Sequence, residues 1–424
     1  MTTSKSILYI CPGTITLKEI ENAIYFALNL KKAGFSNYFL AFPFGARLIR
    51  KYGFFAEELR FNKKDNYRIF KRVCERTNPG WILIADGYLF DFWFGPKYIF
   101  NIEWIVDNPV GAKFASFDNL CLSIRSKILP FYSSSNIEDK FKWLRTTSLT
   151  KLMPVLIPCP YTFPVSKSDN EKSSIFYYRR SNEWLKWNED QKKSFRDSIG
   201  IKKEEKLVLF SISEWPVRIT RAITEDVDIW LRYFSHMVKM IFQEVKGKTT
   251  LLVISTYPLF NSSTEGYLKI INWDLLPYDI YIKFLLTADL FITTSAISSS
   301  IVKAVMGKVP AACLISSGGE LKESRLSSQL INWFKTARAK YPDLLRSYLV
   351  FPIGWQEILT FIFEKNPYRD TFEFLDLLKP MATINTINDL LFNKEKRESL
   401  IQKQNSYIKQ INHLPEPERI MNFL

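Results

Sequence analysis

The chain has 424 residues, of which 47% are hydrophobic and 24% are charged, a balance typical of folded globular proteins. The length suits two domains of roughly 150 to 200 residues each. No apolar run of about 18 residues is present, and the polar amino terminus does not resemble a signal peptide, so we expect a cytoplasmic protein without a transmembrane helix. The five cysteines are scattered and form no Cys-x-x-Cys pair, which argues against a disulfide framework and a zinc site.

The net charge of +15 favours an anionic partner. Residues 1–166 hold 22 Lys and Arg against 13 Asp and Glu, so most of the surplus lies in the amino-terminal part. A nucleotide fits this charge, as does peripheral contact with an anionic membrane; a nucleic acid is less favoured, and a solvated cationic face is an equal alternative. Only two histidines are present, which disfavours mechanisms that need a histidine base.

The amino-terminal region predicts a βαβ unit. Ser6–Cys11 is a short apolar strand, Leu17–Lys32 shows helical spacing of apolar residues, and a second apolar strand follows Gly34. Glu19 lies in the first turn of that helix, where a carboxylate ordinarily complements the helix dipole. Residues 46–52 and 66–76 then predict two basic amphipathic helices, which make this the densest positive region of the first domain.

Two predicted strands of the first domain each end in an aspartate. Trp81–Ala85 precedes Asp86, and Ile102–Val106 precedes Asp107. Ligands of open α/β sheets gather beyond the carboxyl ends of the strands, so both carboxylates are candidate general bases. Each aspartate is equally able to cap the loop that follows it.

A proline-rich segment, Leu152–Pro164, predicts an extended connector between two domains. We therefore expect a domain over residues 1–165, a second over residues 166–390, and carboxyl-terminal helices over residues 391–424. Residues 173–200 predict a helical entry to the second domain. Its first strand is expected at Lys206–Ile212, followed by a long helix over Val227–Glu244.

The stretch Leu275–Pro310 predicts helix, strand, loop and helix, followed by a Gly-x-x-Pro turn into the strand Ala311–Ile315. Six of the eight loop residues, Thr293 to Ser300, carry hydroxyl groups, and the loop opens a helix. The first N–H groups of a helix lack intrahelical partners, so hydroxyl side chains there can complete a phosphate pocket. The alternative is that the serines only cap the helix.

This order of elements resembles the carboxyl-terminal domain of GT-B glycosyltransferases, and the pattern is closest to bacterial enzymes of the N-acetylglucosaminyltransferase type. The resemblance rests on the loop Trp273–Pro277, the Ala288-Asp289 junction, the serine-rich turn and the sequence Lys303-Ala304-Val305-Met306-Gly307. It implies an α/β fold with two Rossmann-like domains facing each other across a cleft and carboxyl-terminal helices crossing back. It also implies a metal-independent, hexosyltransferase-type enzyme that takes a sugar from a nucleotide-sugar donor of unknown base to an unidentified acceptor.

The resemblance places the acceptor's general base in the first domain, where Asp86, Asp107 and Glu19 are the candidates. It places donor binding in the second domain: arginines would hold the diphosphate, Trp273 would stack on the base and Glu320 would bind the sugar. The candidate donor-binding residues are Ser211, Ser213, Arg218, Arg221, Trp273, Leu275, Thr294, Ser295, Ser298, Ser299, Ser300, Lys303 and Glu320.

One residue departs from the family pattern. The acidic residue that commonly holds the ribose hydroxyls would fall on Lys303, and a lysine cannot accept those hydrogen bonds. Two alternatives to the glycosyltransferase therefore stay open. One is a catalytically inactive GT-B-like binding protein, and the other is a nucleic-acid-modifying transferase on the same fold.

Overall fold

The computed structural model describes residues 5–11, 13, 18–87, 100–119, 153–160, 174–180, 187–212, 227–257, 259–274, 276–315, 339, 363, 366–377 and 379–424. The chain forms two compact units, Met1–Ser181 with Lys409–Leu424, and Asn182–Ile408. Both units are α/β. No helix within the described ranges is long and apolar enough to cross a membrane.

The first unit is built on a seven-stranded parallel sheet in the order β3-β2-β1-β4-β5-β6-β7. Its strands are β1 (Ser6–Cys11), β2 (Ser36–Ala41), β3 (Phe55–Glu58), β4 (Trp81–Ile84), β5 (Lys113–Phe117), β6 (Val155–Cys159) and β7 (Ile175–Arg179). The helices described between them are α1 (Lys18–Lys32), α2 (Pro43–Lys51), α3 (Lys63–Thr77) and α4 (Glu103–Val106).

The central strands are buried on both faces, as their unbroken apolar sequences predict for a parallel sheet. Tyr9 of β1 contributes to a core that also contains Phe26 of α1. The next residue, Ile10, points to the opposite face and joins a second core with Phe70 of α3. Because successive side chains of a strand alternate between faces, one six-residue strand anchors both helical layers.

Helix α3 is bounded by asparagines at both ends. The Asn62 side chain accepts hydrogen bonds from the backbone N–H groups of Lys64 and Asp65, at 2.9 and 3.2 Å. Asn78 closes the helix in the left-handed conformation, with φ of 39°, and its N–H donates to the Cys74 carbonyl. These caps satisfy backbone groups that a helix cannot satisfy internally, and they fix the length of α3.

The second unit has a seven-stranded sheet in the order β10-β11-β9-β8-β12-β13-β14, parallel except for the β10–β11 pair. Its strands are β8 (Lys206–Ser211), β9 (Thr249–Ile254), β10 (Ser263–Glu265), β11 (Leu268–Trp273), β12 (Leu290–Thr293), β13 (Ala311–Ile315) and β14 (Glu373–Asp376). Its helices include α5 (Glu189–Ser198), α6 (Val227–Gln243), α7 (Tyr278–Thr287), α8 (Ser299–Met306), α9 (Pro380–Phe392) and most of α10 (Lys394–Ile411), and a 3₁₀ helix spans Pro367–Thr371.

Asp289 joins three elements of the second unit at the amino end of β12. Its Oδ2 accepts from Arg196 of α5 and from the N–H of Leu207 in β8, both at 2.9 Å. Its carbonyl oxygen accepts from Arg397 of α10 at 3.1 Å. The carboxylate is 15% exposed, so these bonds hold α5 and the sheet together in a place with little competing water.

The carboxyl terminus belongs to the first unit. Helix α11 (Pro417–Phe423) buries Ile420 and Met421 in the core that contains Tyr9. Arg179 at the end of β7 donates to the Asn412 carbonyl at 3.2 Å and forms an ion pair with Glu416. The last sixteen residues thus return to the sheet on which the chain began.

Two sequence-based expectations are wrong. Ile102–Val106 is not a strand: Glu103–Val106 forms one helical turn, whose start is held by the Asn101 side chain, which accepts from the Glu103 N–H at 3.2 Å. The helical entry expected over residues 173–200 contains β7, which pairs with β6 in the first sheet, before α5 begins at Glu189. Short apolar runs do not separate strand from helix, because sheet pairing is decided by distant residues.

Candidate functional site

The strand orders locate one candidate region in each unit. In the first sheet β1 lies between β2 and β4, so the connections after β1 and β4 leave in opposite directions. In the second sheet β8 lies between β9 and β12 and makes the same switch. Ligands of open α/β sheets bind beyond the carboxyl ends of the strands at such switch points. The candidate side chains should therefore follow β1 and β4 in one unit, and β8 and β12 in the other.

Asp86 follows β4 and lies in a buried polar cluster. It is 4% exposed, and its Oδ2 accepts a hydrogen bond from Asn119 Nδ2 at 2.9 Å. Asn119 follows β5; its side chain also donates to the Ala85 carbonyl and accepts from Asn22 of α1. Lys18 Nζ donates to the Asn119 carbonyl at 2.9 Å. Asn119, which is itself held by Asn22 and Lys18 of α1, therefore orients the Asp86 carboxyl.

The environment of Asp86 raises the pKa of its carboxyl to about 7. Burial is the largest cause, because it disfavours the charged form, and the neighbouring carboxylate of Asp118 adds repulsion. The hydrogen bond from Asn119 and the charge of Lys18 oppose the rise. A carboxyl group that titrates near neutrality can both take up and release a proton at physiological pH, which is what a general base requires.

Glu19 lies at the same sheet edge, at the start of α1. It is 3% exposed, and a Cβ atom added to Gly13 would lie 1.6 Å from its Oε1 atom. A side chain at position 13 would therefore displace this carboxylate. Burial and then the charge of Glu19 raise the pKa of the Cys11 thiol at the end of β1.

Asp107 lies elsewhere. It is the exposed residue that ends α4, and its N–H donates to the Glu103 carbonyl. Because the segment before it is a helix, Asp107 is not at the end of a sheet strand. The structure therefore brings Asp86 and Glu19 to the switch-point edge of the first sheet and leaves Asp107 outside it.

In the second unit the hydroxyl-rich loop follows β12. Thr293 pairs with Ser211 of β8, so the ends of these two strands lie side by side at the switch point. Thr294 and Ser295 are 5% and 1% exposed. The Ser295 N–H donates to Thr293 Oγ1 at 3.4 Å, while the Ser295 hydroxyl has no hydrogen-bond partner within the described part of the chain.

The loop ends in the start of helix α8. Ser298 is the N-cap, and its Oγ accepts from the Ile301 N–H at 3.2 Å. Ser299 and Ser300 form the first turn, where backbone N–H groups have no intrahelical acceptor. Lys303, one turn later, is 2% exposed; its Nζ lies 3.4 Å from Ser299 Oγ and 4.9 Å from the centre of the Tyr278 ring. A buried cation and the positive end of a helix thus occupy one place, which suits an anionic ligand.

Trp273 ends β11 and is 39% exposed, with its ring edge against Phe284 of α7 at 5.3 Å between centroids. Part of its surface is thus available to a ligand, and part packs on the unit's own helix. Five further predicted donor-binding residues lie outside the described residues: Ser213, Arg218, Arg221, Leu275 and Glu320.

Asn119, Asp118 and Lys18, which surround Asp86, are not among the residues predicted from the sequence. One signal is present in the sequence: the alternating segment KFASF predicts a strand, and the polar pair Asp118-Asn119 follows it directly. Tyr278, whose ring lies against Lys303, is also not among the predicted residues. Within the described ranges no group of three or more His, Cys, Asp or Glu side chains is arranged to hold a metal ion.

Comparisons with known proteins give a family and a fold. The model of a family of unknown function, DUF6365, matches residues 26–424. No curated protein matches the sequence.

Among solved structures, the chain is similar to a glycosyltransferase from Rickettsia africae ESF-5, with a TM-score of 0.53, 10% identity, and coverage of 100% of this chain and 98% of that one. It is also similar to the spinosyn rhamnosyltransferase SpnG complexed with thymidine diphosphate, with a TM-score of 0.51, 11% identity, and coverage of 98% and 99%. The spinosyn forosaminyltransferase SpnP matches with a TM-score of 0.50, 12% identity, and coverage of 100% and 98%. These likenesses confirm the predicted α/β class and the GT-B fold.

Proposed function

The chain belongs to DUF6365, a family of unknown function, and from its fold and its two switch-point edges we propose that it is a glycosyltransferase. It moves a sugar from a nucleotide-sugar donor to a hydroxyl or amine acceptor, without a catalytic metal. The observation that carries this proposal is the buried Asp86 carboxyl, whose pKa is raised to about 7 beyond the carboxyl end of β4.

The first unit supplies the acceptor's base. Asp86 takes the proton from the attacking hydroxyl or amine, which makes that group a better nucleophile toward the anomeric carbon of the sugar. Asn119 and Lys18 position the carboxyl; Asn119 bonds it directly, and Lys18 fixes the Asn119 backbone. Glu19, which is 3% exposed, is the second candidate base at this edge.

The second unit binds the donor. The first turn of α8, with Ser298, Ser299 and Ser300, offers hydroxyl and N–H groups to the donor's phosphates, and Lys303 adds a positive charge. When the bond between the sugar and the diphosphate breaks, the bonding electrons stay on the diphosphate. A fixed cation and a helix start stabilise that added charge in the transition state.

The neighbours' printed names support the donor class. SpnG was solved with thymidine diphosphate bound, and SpnG and SpnP are named as sugar transferases. We assign this chain a nucleoside diphosphate sugar as donor on that basis, of hexose type, with the N-acetylglucosaminyl group as the first sugar to test. Four candidate residues lie at the carboxyl edge of the second sheet, at the ends of strands or directly after them: Ser211, Trp273, Thr294 and Ser295.

Lys303 also favours a second candidate function, a binding protein without transferase activity. The lysine stands where the resembling enzymes place an acidic residue for the ribose, and it is buried rather than pointing to solvent. Such a protein would bind the nucleotide without breaking the sugar bond.

Two measurements on the purified chain test both candidates. The first is the shift in melting temperature with UDP, GDP, TDP, CMP and their sugars. The second is the release of the nucleotide from each sugar donor, a diphosphate from UDP-, GDP- and TDP-sugars and CMP from CMP-sugars. We expect one nucleotide class to stabilise the protein, and saturation at about a hundred times the dissociation constant to add roughly 2.7 kcal/mol. Lys303→Met should abolish most of that shift, because it removes the buried cation and keeps the side-chain length.

Asp86→Asn should lower the rate of diphosphate release by about 10² to 10⁴-fold, the usual contribution of a general base, and leave the nucleotide-induced shift intact. Asp107→Asn is the matched control, an exposed aspartate of the same unit, and should leave both unchanged. A shift without turnover would favour the binding protein. No shift with any nucleotide would overturn both candidates.

A further inference from the structure

A long groove follows the outer edge of the first sheet, away from the switch point. Its cavity has a volume of about 910 Å³ and is lined by eight consecutive residues, Phe54 to Phe61, which include all of β3. Pro43 and Arg50 of α2 form one wall, and Arg68 and Arg72 of α3 form the other. The four residues of β3 span roughly 13 Å at about 3.3 Å each, so the groove runs beside an extended backbone segment.

The edge strand presents backbone groups to this groove. In the described sheet β3 is the terminal strand and pairs only with β2. The Leu59 N–H donates to the Ala41 carbonyl of β2. The direction of backbone groups alternates along a strand, so the N–H and C=O groups of Ala56 and Glu58 point away from β2. Arg50 Nη2 donates to the Ala56 carbonyl at 2.9 Å and covers that one acceptor. An unpaired strand edge is a template for the addition of another strand.

The side chains that line the groove carry mixed charge. Four arginines and three carboxylates line it: Arg50, Arg60, Arg68, Arg72, Glu57, Glu58 and Asp65. The closest pairs are Arg50 with Glu58 and Arg72 with Glu57, each at 2.7 Å. These pairs are exposed, so a ligand carboxylate can exchange with them at little cost.

Two aromatic rings add apolar surface at the ends of the groove. Phe55 is 44% exposed and Phe61 is 77% exposed. The Arg76 guanidinium covers Phe55 at 4.5 Å from the ring centre, and Phe61 stacks on Phe42 at 5.0 Å. The groove therefore combines strand backbone, exposed rings and arginine forks along one line.

We propose that this groove binds an extended peptide segment of a partner protein, which adds to β3 as an eighth strand and bears acidic side chains on alternate residues. The peptide's main chain bonds to the outward backbone groups of Ala56 and Glu58, and its carboxylates meet the arginines of the two walls. An apolar residue of the peptide covers Phe61.

The mixed charge and the shape of the groove favour a peptide over the other anionic partners. A single-stranded nucleic acid carries a negative charge at every nucleotide, so some of its charges would lie beside Glu57, Glu58 and Asp65. A peptide can place its carboxylates beside the arginines and uncharged residues beside these three acidic side chains. A membrane surface is broad and would not enter a concave groove. The phosphates of either partner could accept from the outward N–H groups of the strand but have no hydrogen to donate to its C=O groups.

The test is fluorescence anisotropy of the full-length protein with a fluorescein-labelled peptide of eight alternating valine and glutamate residues. Glu58→Pro removes the outward N–H without removing a bond to β2, and we expect it to weaken binding at least tenfold. Glu58→Gln is the matched control: it keeps the N–H and removes the same carboxylate, and its affinity should equal or exceed that of the wild type.

A second variant tests the proposal even if the proline variant fails to fold. Arg68→Glu, whose side chain is 79% exposed, should weaken the peptide at least fivefold, while Lys394→Glu in the second unit, 87% exposed, should not. Equal effects of Arg68→Glu and Lys394→Glu, or of Glu58→Pro and Glu58→Gln, would overturn the proposal. So would tighter binding of a twenty-residue oligo-dT or of phosphatidylserine vesicles than of the peptide.

Discussion

The two units make the same switch in strand order at the centre of their sheets but equip that edge with opposite chemistry. Beyond β1, β4 and β5 of the first unit lie the buried carboxyls of Glu19, Asp86 and Asp118. Beyond β8 and β12 of the second unit lie hydroxyl groups, a helix start and the buried Lys303. The fold determines where a ligand can bind, and the loop residues determine whether that site can take up a proton or bind an anion.

Two aspartates, Asp86 of the first unit and Asp289 of the second, show the same contrast. Asp86 lies at the carboxyl end of its strand, where burial raises its pKa to about 7. Asp289 lies at the amino end of β12, where Arg196 and the Leu207 N–H bind it. Asp86 is thus the candidate for chemistry, whereas Asp289 stabilises the fold.

The largest expected effect is the pH dependence of stability due to Asp86. Its pKa is about 7 in the folded protein against 3.8 for a free side chain, so between these values the folded state binds the proton that the unfolded state has lost. The free energy of unfolding should therefore fall as pH rises from about 4 to 7, by roughly 4 kcal/mol in total. Asp86→Asn should lack this component.

The measurement is urea unfolding of wild type and Asp86→Asn from pH 5 to 8, a range that contains more than half of the change. The difference between the two proteins should grow in favour of Asp86→Asn as pH increases. A difference that stays constant with pH would show that Asp86 is charged throughout and is not suited to act as a base near neutrality.

The next effect concerns Asp289. Asp289→Ala should lower the free energy of unfolding by about 2 to 3 kcal/mol, because it leaves the Leu207 N–H without its acceptor and removes the carboxylate partner of the half-buried Arg196. Glu398→Ala, which breaks an exposed pair with Lys394, should produce no measurable change in the same urea titration. If nucleotide binding fell in Asp289→Ala while stability did not, the structural role of this aspartate would be disproved.

The smallest expected effect is at the N-cap of α8. Ser298→Ala should cost about 1 kcal/mol of stability, since its hydroxyl accepts from the Ile301 N–H. Ser300→Ala, two residues further along the chain, should change stability by less than about 0.5 kcal/mol. Both variants should also weaken nucleotide binding in a thermal-shift titration; unchanged binding in both would reduce the hydroxyl-rich loop to a helix cap.

Local patterns predicted much of the fold. The segment Leu275–Ile315 has the predicted order of helix, strand, loop, helix and strand, and the long helix and the first strand of the second unit lie where they were expected. These elements have full periodicity or unbroken apolar runs, which short windows of sequence encode. The position of Asp86 after a strand was equally visible.

What the sequence by itself determined is the set of elements and the residue types at their ends: two α/β units, an aspartate after β4 and hydroxyl groups before α8. Only the tertiary structure decided that Glu103–Val106 is helical, that β7 completes the first sheet, and that Asp118 and Asn119 surround Asp86. The reason is physical. Hydrophobic periodicity is a local property, whereas the pairing of β7 with β6 and the burial of Asp86 depend on residues twenty or more positions away, which approach only when the sheet forms.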